Sequence, residues 1–244
     1  SSKVDFEVIY KSYRPVKINF GLRAIKNIGE GSIKELILER ESNGIFTDLQ
    51  DLLKRVSNNF LNKKIIEALI FSGAFNTIEK NQNLLEQNIE KIINYNVNYH
   101  KKLNINQGNL FPDIDDFKSQ IYREEYKNWS IIEKLNKEYE SFGYYLSDHP
   151  AKIYKTFFSG RYEIIDLDNF SNFLTNSENV GKTFKAVVLL SDLKERLSKT
   201  GKKYCFLILS DDSSTVDVIG FSEFLQNLSE ELKVGELYLV QLSI

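Results

Sequence analysis

Gly21-Leu22-Arg23-Ala24-Ile25-Lys26-Asn27-Ile28-Gly29-Glu30-Gly31-Ser32-Ile33-Lys34-Glu35-Leu36 is the stretch that decides the fold of the first part of this chain. Apolar residues recur at helical spacing on both sides of the glycine pair, so the pattern predicts one helix before it and another after it. Gly29 and Gly31, with one polar residue between them, predict a tight turn that exposes backbone amides. The two helices are therefore expected to pack together and to leave the turn facing solvent.

This helix-hairpin-helix pattern predicts a binding site for an anionic oxygen. The second helix begins with unpaired N–H groups and the positive end of its dipole, and a nucleic-acid phosphate fits both. Ser32 is the predicted N-cap, and Lys26 and Lys34 flank the turn. The alternative is that the turn only joins the two helices and binds no phosphate, since many such turns simply end a helix. The candidate DNA-binding residues of this hairpin 1 are Lys26, Ile28, Gly29, Glu30, Gly31, Ser32 and Lys34.

Composition limits the classes of protein to consider. The 244 residues are 42% hydrophobic and 13% aromatic, which is enough for two domains with buried cores. The single cysteine, Cys205, excludes an internal disulfide framework and predicts a cytoplasmic protein. A start at Ser1 and the lack of methionine predict a piece of a longer protein. The net charge of −2 excludes a uniformly basic surface, so nucleic-acid binding has to be local.

Residues 47–100 have a helical pattern that contains a second possible hairpin. Thr47 and Gln50 predict a capping box. Residues 61–75 form an apolar stripe that ends in a degenerate copy of hairpin 1, in which the second glycine is replaced by alanine. The alternative is an ordinary helix C-cap at the glycine. The candidate DNA-binding residues of this hairpin 2 are Ser72, Gly73 and Ala74.

A polar loop over residues 104–120 carries an apolar pair. Gln107, Leu110 and Phe111 predict a short peptide that enters a pocket of a partner protein. The alternative is that the pair docks back on the helical domain. The nearby aspartates have no second group of ligands, so we predict no metal site and no cofactor in this chain.

The last quarter of the chain changes from a helical to an alternating pattern. After a helix that a Ser130/Glu133 capping box opens, residues 184–190, 204–209 and 215–219 predict three strands. A short helix at 222–232 and a strand at 236–244 follow. Three strands, a helix and a strand are the order of an oligonucleotide-binding (OB) barrel without its fifth strand.

The first two of these strands are joined by a basic segment. Residues 185–203 contain six cations and two carboxylates, and aromatic residues follow. Basic grooves with stacking aromatics bind single strands. The alternative is that Tyr204 and Phe206, which share a face of their strand, are core residues. The predicted turn at Asp211 and Asp212 needs no metal. The candidate single-strand-binding residues are Lys194, Arg196, Lys199, Lys202, Lys203 and Tyr204.

The expected fold is α+β, with a helical part followed by a truncated barrel. We predict a tandem helix-hairpin-helix domain over residues 1–103 and the peptide loop over 104–120. A helical connector over 121–180 and an OB-fold over 181–244 complete the chain.

The chain resembles the C-terminal part of the alpha subunits of bacterial DNA polymerase III. The resemblance rests on five segments in family order, which lie at residues 21–36, 61–75, 107–111, 140–150 and 204–221. It implies that the hairpins hold duplex DNA, that Gln107, Leu110 and Phe111 bind the beta sliding clamp, and that the barrel lies near single-stranded template. Asn109 departs from the acidic residue that such clamp peptides often carry.

The resemblance also implies a DNA-directed DNA polymerase whose active site lies outside this chain. The parent protein would use Mg²⁺ on carboxylates upstream, and other replisome subunits would bind a region downstream. A DNA-repair protein or DNA ligase that combines hairpins with an OB module is the main alternative. The anticodon-binding domain of a tRNA synthetase resembles residues 203–211 only.

Overall fold

The computed structural model of this protein describes residues 2–11, 13–104, 117–224 and 232–244. Two compact units, Ser1–Leu146 and Ser147–Ile244, make up the chain. The division falls within residues 121–180, the predicted connector, so its first part belongs to the helical unit and the rest to the sheet unit. Among the described helices, none has the length and apolar character that crossing a bilayer requires.

The first unit combines a β-hairpin with a set of helices. Strands β1 (Glu7–Lys11) and β2 (Arg14–Asn19) pair antiparallel, an element that the sequence analysis missed. The helices are α1 (Glu30–Asn43), α2 (Leu49–Arg55), α3 (Lys63–Phe71), α4 (Gln82–Gln87), α5 (Ile89–Asn104), α6 (Phe117–Ile121) and α7 (Ile131–Phe142).

The apolar residues that recur at helical spacing within residues 21–36 are core residues in the structure. Ile33 and Leu36 of α1 are buried together with Leu22 and Ile25 from before the turn. This confirms that the two sides of hairpin 1 pack into one core, in which apolar surface is removed from water.

Capping predictions had opposite outcomes at two helices. Ser130 and Glu133 form the predicted capping box of α7. At α2 the prediction was wrong, because Asp48 is the N-cap and its carboxylate accepts a 2.8 Å hydrogen bond from the Asp51 amide. Two adjacent residues that can both cap a helix leave its start ambiguous by one position.

Among its described residues, the second unit has two helices of eight or more residues, which accompany one antiparallel sheet. Its helices are α8 (Pro150–Phe158) and α9 (Leu167–Leu174), and its strands are β3 (Thr183–Leu197), β4 (Lys203–Ser210), β5 (Thr215–Gly220) and β6 (Leu237–Ser243). The strand order is β5-β4-β3-β6. A helical unit and an antiparallel sheet unit confirm the α+β prediction.

Strand β3 is much longer than the predicted strand and is shared by two neighbours. Residues 183–189 pair with β6, whereas residues 189–197 pair with β4. The register shifts between Leu190 and Asp192, where the strand has a bulge. Bulges bend a strand and increase its twist, which lets one strand serve two partners. The polar residues after Leu190 hid this continuation from the alternating pattern.

Candidate nucleic-acid interface

Hairpin 1 turns at an asparagine and not at its glycines. Asn27 has a φ of +66°, the left-handed conformation in which asparagine is enriched. Before it there is a single 3-10 turn over Leu22–Ala24, because Ile25 is already extended. The prediction of a full helix before the turn was therefore wrong, as was the assignment of the turn to Gly29 and Gly31.

Helix α1 begins with free amides. Gly29 is its N-cap, with φ −71° and ψ 149°, and its carbonyl accepts the Ile33 amide at 3.1 Å. Ser32, the predicted cap, lies inside the first turn instead. Within the described residues no acceptor contacts the amides of Gly29, Glu30, Gly31 or Ser32. These donors and the helix dipole of a 14-residue helix point to an anion site.

The two glycines of hairpin 1 have open space around them. A Cβ added at Gly29 or Gly31 would meet no atom within 4 Å, and neither residue has a positive φ. Glycine in place of alanine inside a helix costs about 1 kcal/mol, so Gly31 destabilises the fold. Packing and backbone conformation thus do not explain these glycines. The open space at both positions would allow a ligand to approach the backbone closely.

Charged side chains surround these amides. The Glu30 carboxylate pairs with Lys34 at 2.8 Å and with Arg23 at 2.9 Å. Hydrogen bonds from Lys34 and then Arg23 hold the pKa of Glu30 below its usual range, so it is ionised at neutral pH. The Lys26 ammonium lies against Gly143 instead. Arg23 was missed because it precedes the predicted turn by six residues, although a 3-10 turn brings it back to Glu30.

Hairpin 2 uses its amides to end a helix. Gly73 has a φ of +72°, and its amide donates to the Ile70 carbonyl at 3.0 Å. The Ala74 amide donates to the Leu69 carbonyl at 3.0 Å, which completes a Schellman motif at the end of α3. The Ser72 amide is likewise bonded within the turn, to Ala68. This geometry conflicts with the prediction that Ser72, Gly73 and Ala74 hold a phosphate, because their donors are taken.

Gln107, Leu110 and Phe111, the predicted clamp-binding residues, lie outside the described residues.

Strand β4 separates its aromatic residues from its core residues. Cys205, Leu207 and Leu209 are buried on one face. Tyr204 and Phe206 alternate with them on the other face, where Phe206 is 39% exposed and their ring centroids lie 5.5 Å apart. The alternative that this pair is core is therefore wrong.

Cations lie on the aromatic face of the sheet. Lys194 is directly opposite Phe206 across the β3–β4 ladder, and Arg196 is opposite Tyr204. Directly opposite residues of an antiparallel pair share a face. Ile219 of β5, which is 50% exposed, lies opposite Phe206 on the other side. The three strands thus combine cations, aromatic rings and exposed apolar surface.

Ion pairs reduce the charge of this basic segment. Lys194 pairs with Asp192 at 2.6 Å, and Lys203 approaches Glu195 at 3.9 Å. No described residue forms an ion pair with the other three cations of the turn region, which are all exposed: Arg196, Lys199 and Lys202. The free cations thus lie at the turn of the β3–β4 hairpin.

Asp211 and Asp212 belong to a structural cluster. The Lys155 ammonium lies 2.7 Å from Asp211, 2.6 Å from Asp212 and 2.5 Å from Asp166. The buried Asp211 carboxylate also accepts the Ser213 and Ser214 amides of the predicted turn. Burial alone would raise the pKa of Asp211, but the hydrogen bonds, that from Lys155 foremost, outweigh it and lower the pKa to about 2. The lysine occupies the position between these carboxylates where a cation would sit.

The similarity of this chain to known proteins extends well beyond hairpin 1. Residues 1–85 match the helix-hairpin-helix motif family. The chain is 31% identical over 225 residues to the DNA polymerase III alpha subunit of Buchnera aphidicola subsp. Acyrthosiphon pisum, which covers 91% of this chain. The resemblance to DNA polymerase III alpha subunits is confirmed. Alpha subunits of Neisseria meningitidis serogroup A, with 29% identity over 95% of this chain, and of Bacillus subtilis, with 29% identity over 90%, match similarly.

This chain spans about a fifth of the length of these alpha subunits, since the matches cover 19% of each relative.

Proposed function

We propose that this chain is a DNA-binding part of a replicative DNA polymerase III alpha subunit in the bacterial cytoplasm. The polymerase as a whole would carry out template-directed DNA synthesis with Mg²⁺, and this part would hold the DNA without contributing a catalytic group. The observation that carries the proposal is the pair of glycines in hairpin 1, Gly29 and Gly31, which have open space and free amides around them.

Hairpin 1 suits the backbone of duplex DNA. Phosphate oxygens accept hydrogen bonds from the free amides of Gly29–Ser32, and the absence of side chains at the glycines lets the phosphate come close. Arg23 and Lys34 would give up their ion pairs with Glu30 and bind phosphate instead. The cost in free energy would be small, because all three side chains are half exposed. Such contacts are independent of sequence, as a polymerase that copies any template needs.

A bulky residue at Gly31 tests this contact. Gly31→Leu introduces a better helix former and fills the space over the amides, so we expect at least a tenfold loss of duplex affinity by fluorescence anisotropy at fixed salt. Gly160→Leu is the matched control, since Gly160 also has open space around it and lies in the other unit. Equal affinity of the Gly31 variant and the wild type would refute the hairpin site.

The sheet unit is proposed to bind single-stranded template as an OB-fold. In this fold the first strand pairs with both the second and the fourth, as β3 does with β4 and β6. The face of its second and third strands and the loop between the first two bind oligonucleotides. Here these correspond to the Tyr204 and Phe206 face and to the cations of residues 194–203. A fifth strand would lie between the free edges of β5 and β6.

Removal of the aromatic pair tests the single-strand site. Tyr204→Ala/Phe206→Ala should weaken binding to an oligothymidine about tenfold or more, because stacking contributes about 1–3 kcal/mol per base. The control is Tyr154→Ala/Phe157→Ala, which removes two exposed aromatics elsewhere in the same unit. A similar loss in both double variants would show that the β4 face has no special role.

The clamp contact is proposed from the sequence of the 104–120 loop. Gln107, Leu110 and Phe111 would enter the pocket of a beta sliding clamp, while other replisome subunits would bind regions of the alpha subunit outside this chain. Titration of a bacterial clamp with the wild type and with Leu110→Ala/Phe111→Ala tests this. Binding that the double variant abolishes supports the proposal, and no binding by the wild type would contradict it.

A further inference from the structure

The β1–β2 hairpin is an exposed arm that the helical core leaves uncovered. Val8 and Ile18 lie opposite each other and are 42% and 60% exposed. Tyr10 is 64% exposed and Tyr13, next to the tip, is fully exposed. Two strands alone are at best marginally stable in water, so this arm depends on its attachment to the rest of the unit.

The arm carries unneutralised positive charge. Residues 8–20 contain Lys11, Arg14 and Lys17 and no carboxylate. No described residue forms an ion pair with these three, whereas Lys3 at the base is paired with Glu7 at 2.7 Å. Lys11 and Arg14 lie opposite each other at the tip. A partner that complements this surface is a polyanion.

The base of the arm is attached to hairpin 1. The Leu22 amide donates to the Lys3 carbonyl at 2.9 Å, and the Arg23 amide donates to the Val4 carbonyl at 3.0 Å. Gly21 permits this contact, because a Cβ there would lie 2.5 Å from the carbonyl carbon of Asp5. The arm thus emerges beside Arg23, which pairs with Glu30 at the proposed phosphate site.

We propose that the β1–β2 arm is a second DNA contact, in which Lys11, Arg14 and Lys17 bind backbone phosphates and Tyr13 packs against the nucleic acid. Strands of five or six residues extend about 17–20 Å, which equals the rise of about five base pairs. The DNA major groove admits a two-stranded ribbon, and thymine methyl groups there suit apolar side chains such as Val8 and Ile18. This inference rests on duplex binding by hairpin 1 and extends it along the DNA.

The salt dependence of duplex binding tests the arm. Each phosphate contact contributes about 0.9 to the slope of log affinity against log salt. We therefore expect Lys11→Ala/Arg14→Ala/Lys17→Ala to reduce this slope by up to about 2.7 and to weaken binding at least tenfold at low salt. The matched control removes three exposed lysines that already pair with carboxylates, namely Lys134, Lys152 and Lys233. It should leave the slope nearly unchanged.

The outcomes separate this inference from the proposed function. If the wild type binds duplex DNA, Gly31→Leu weakens it and the arm variant keeps the full slope, the arm is not a DNA contact although hairpin 1 is. If the wild type shows no salt-dependent duplex binding, both proposals fail. If Val8→Ser/Ile18→Ser abolishes self-association of the protein while the arm variant keeps the slope, the arm is a protein-docking element and the DNA contact is refuted.

Discussion

Hairpin 1 and hairpin 2 follow similar sequence patterns, but their glycines differ in backbone conformation and in surroundings. In hairpin 2, Gly73 takes a φ of +72° and its amide ends α3. In hairpin 1, Gly29 and Gly31 have ordinary φ values and open space, and Asn27 makes the turn. A glycine that the backbone conformation requires serves the fold, whereas one that neither conformation nor packing requires indicates a contact with something else.

The same contrast applies to the backbone amides. The amides of Gly73 and Ala74 donate to carbonyls of α3, so a ligand would have to displace these hydrogen bonds. The amides at the start of α1 have no such acceptors within the described part of the chain. We therefore propose a phosphate contact at hairpin 1 alone, and the following variants test whether the two hairpins differ in this way.

Asn27→Ile should have the largest effect, because it changes both the fold and the site. A β-branched residue at a φ of +66° is strained, and we expect a loss of about 2 kcal/mol in the unfolding free energy of the first unit. Misplaced amides should also weaken duplex binding at least tenfold. Trp129 fluorescence in a urea titration reports on this unit, because the chain's single tryptophan packs edge-on against Phe71. Asn27→Gly should preserve both properties, and a loss with glycine would mean that the asparagine side chain itself matters.

Gly73→Ala should affect stability and not DNA binding. The positive φ and the approach of the new Cβ to Asn76, at 2.7 Å, should together cost about 1 kcal/mol of unfolding free energy. Duplex affinity measured on the folded variant should equal that of the wild type. A clear loss of duplex affinity would show that hairpin 2 also contacts DNA.

Gly31→Ala should give the opposite result. Alanine in the first turn of α1 should raise the unfolding free energy by up to about 1 kcal/mol, since its Cβ meets nothing within 4 Å. It should weaken duplex binding by about threefold to tenfold, because the methyl group lies where the phosphate approaches. Greater stability without weaker binding would show that Gly31 is merely a suboptimal helix residue.

Glu30→Gln should produce the smallest change. It removes a negative charge beside the amides and frees Arg23 and Lys34, so duplex affinity should rise about twofold to threefold at low salt. The lowered pKa of Glu30 means that its charge is lost only below the usual titration range of a glutamate, so the gain should be constant from pH 6 to 8. Loss of the favourable helix-dipole interaction should lower the stability slightly. Weaker binding by this variant would show that Glu30 positions its two cations for the phosphate.

Local patterns predicted what depends on local physics. Helical spacing placed Ile33 and Leu36 in the core, a capping box marked the start of α7, and alternation located β4 and β5. The β1–β2 arm was missed because its apolar residues are exposed and its strands carry cations, a pattern with no buried face to recognise.

The sequence by itself determined the α+β class, the resemblance to polymerase alpha subunits and the position of hairpin 1, because these follow from periodicity and from residue types at fixed spacing. Only the tertiary structure decided which hairpin has free amides, since a Schellman cap at Gly73 and an open N-terminus at Gly29 arise from similar local sequences. It also decided that Tyr204 and Phe206 lie opposite the core. Alternation shows which residues share a face of a strand, but packing against the rest of the unit determines which face is buried.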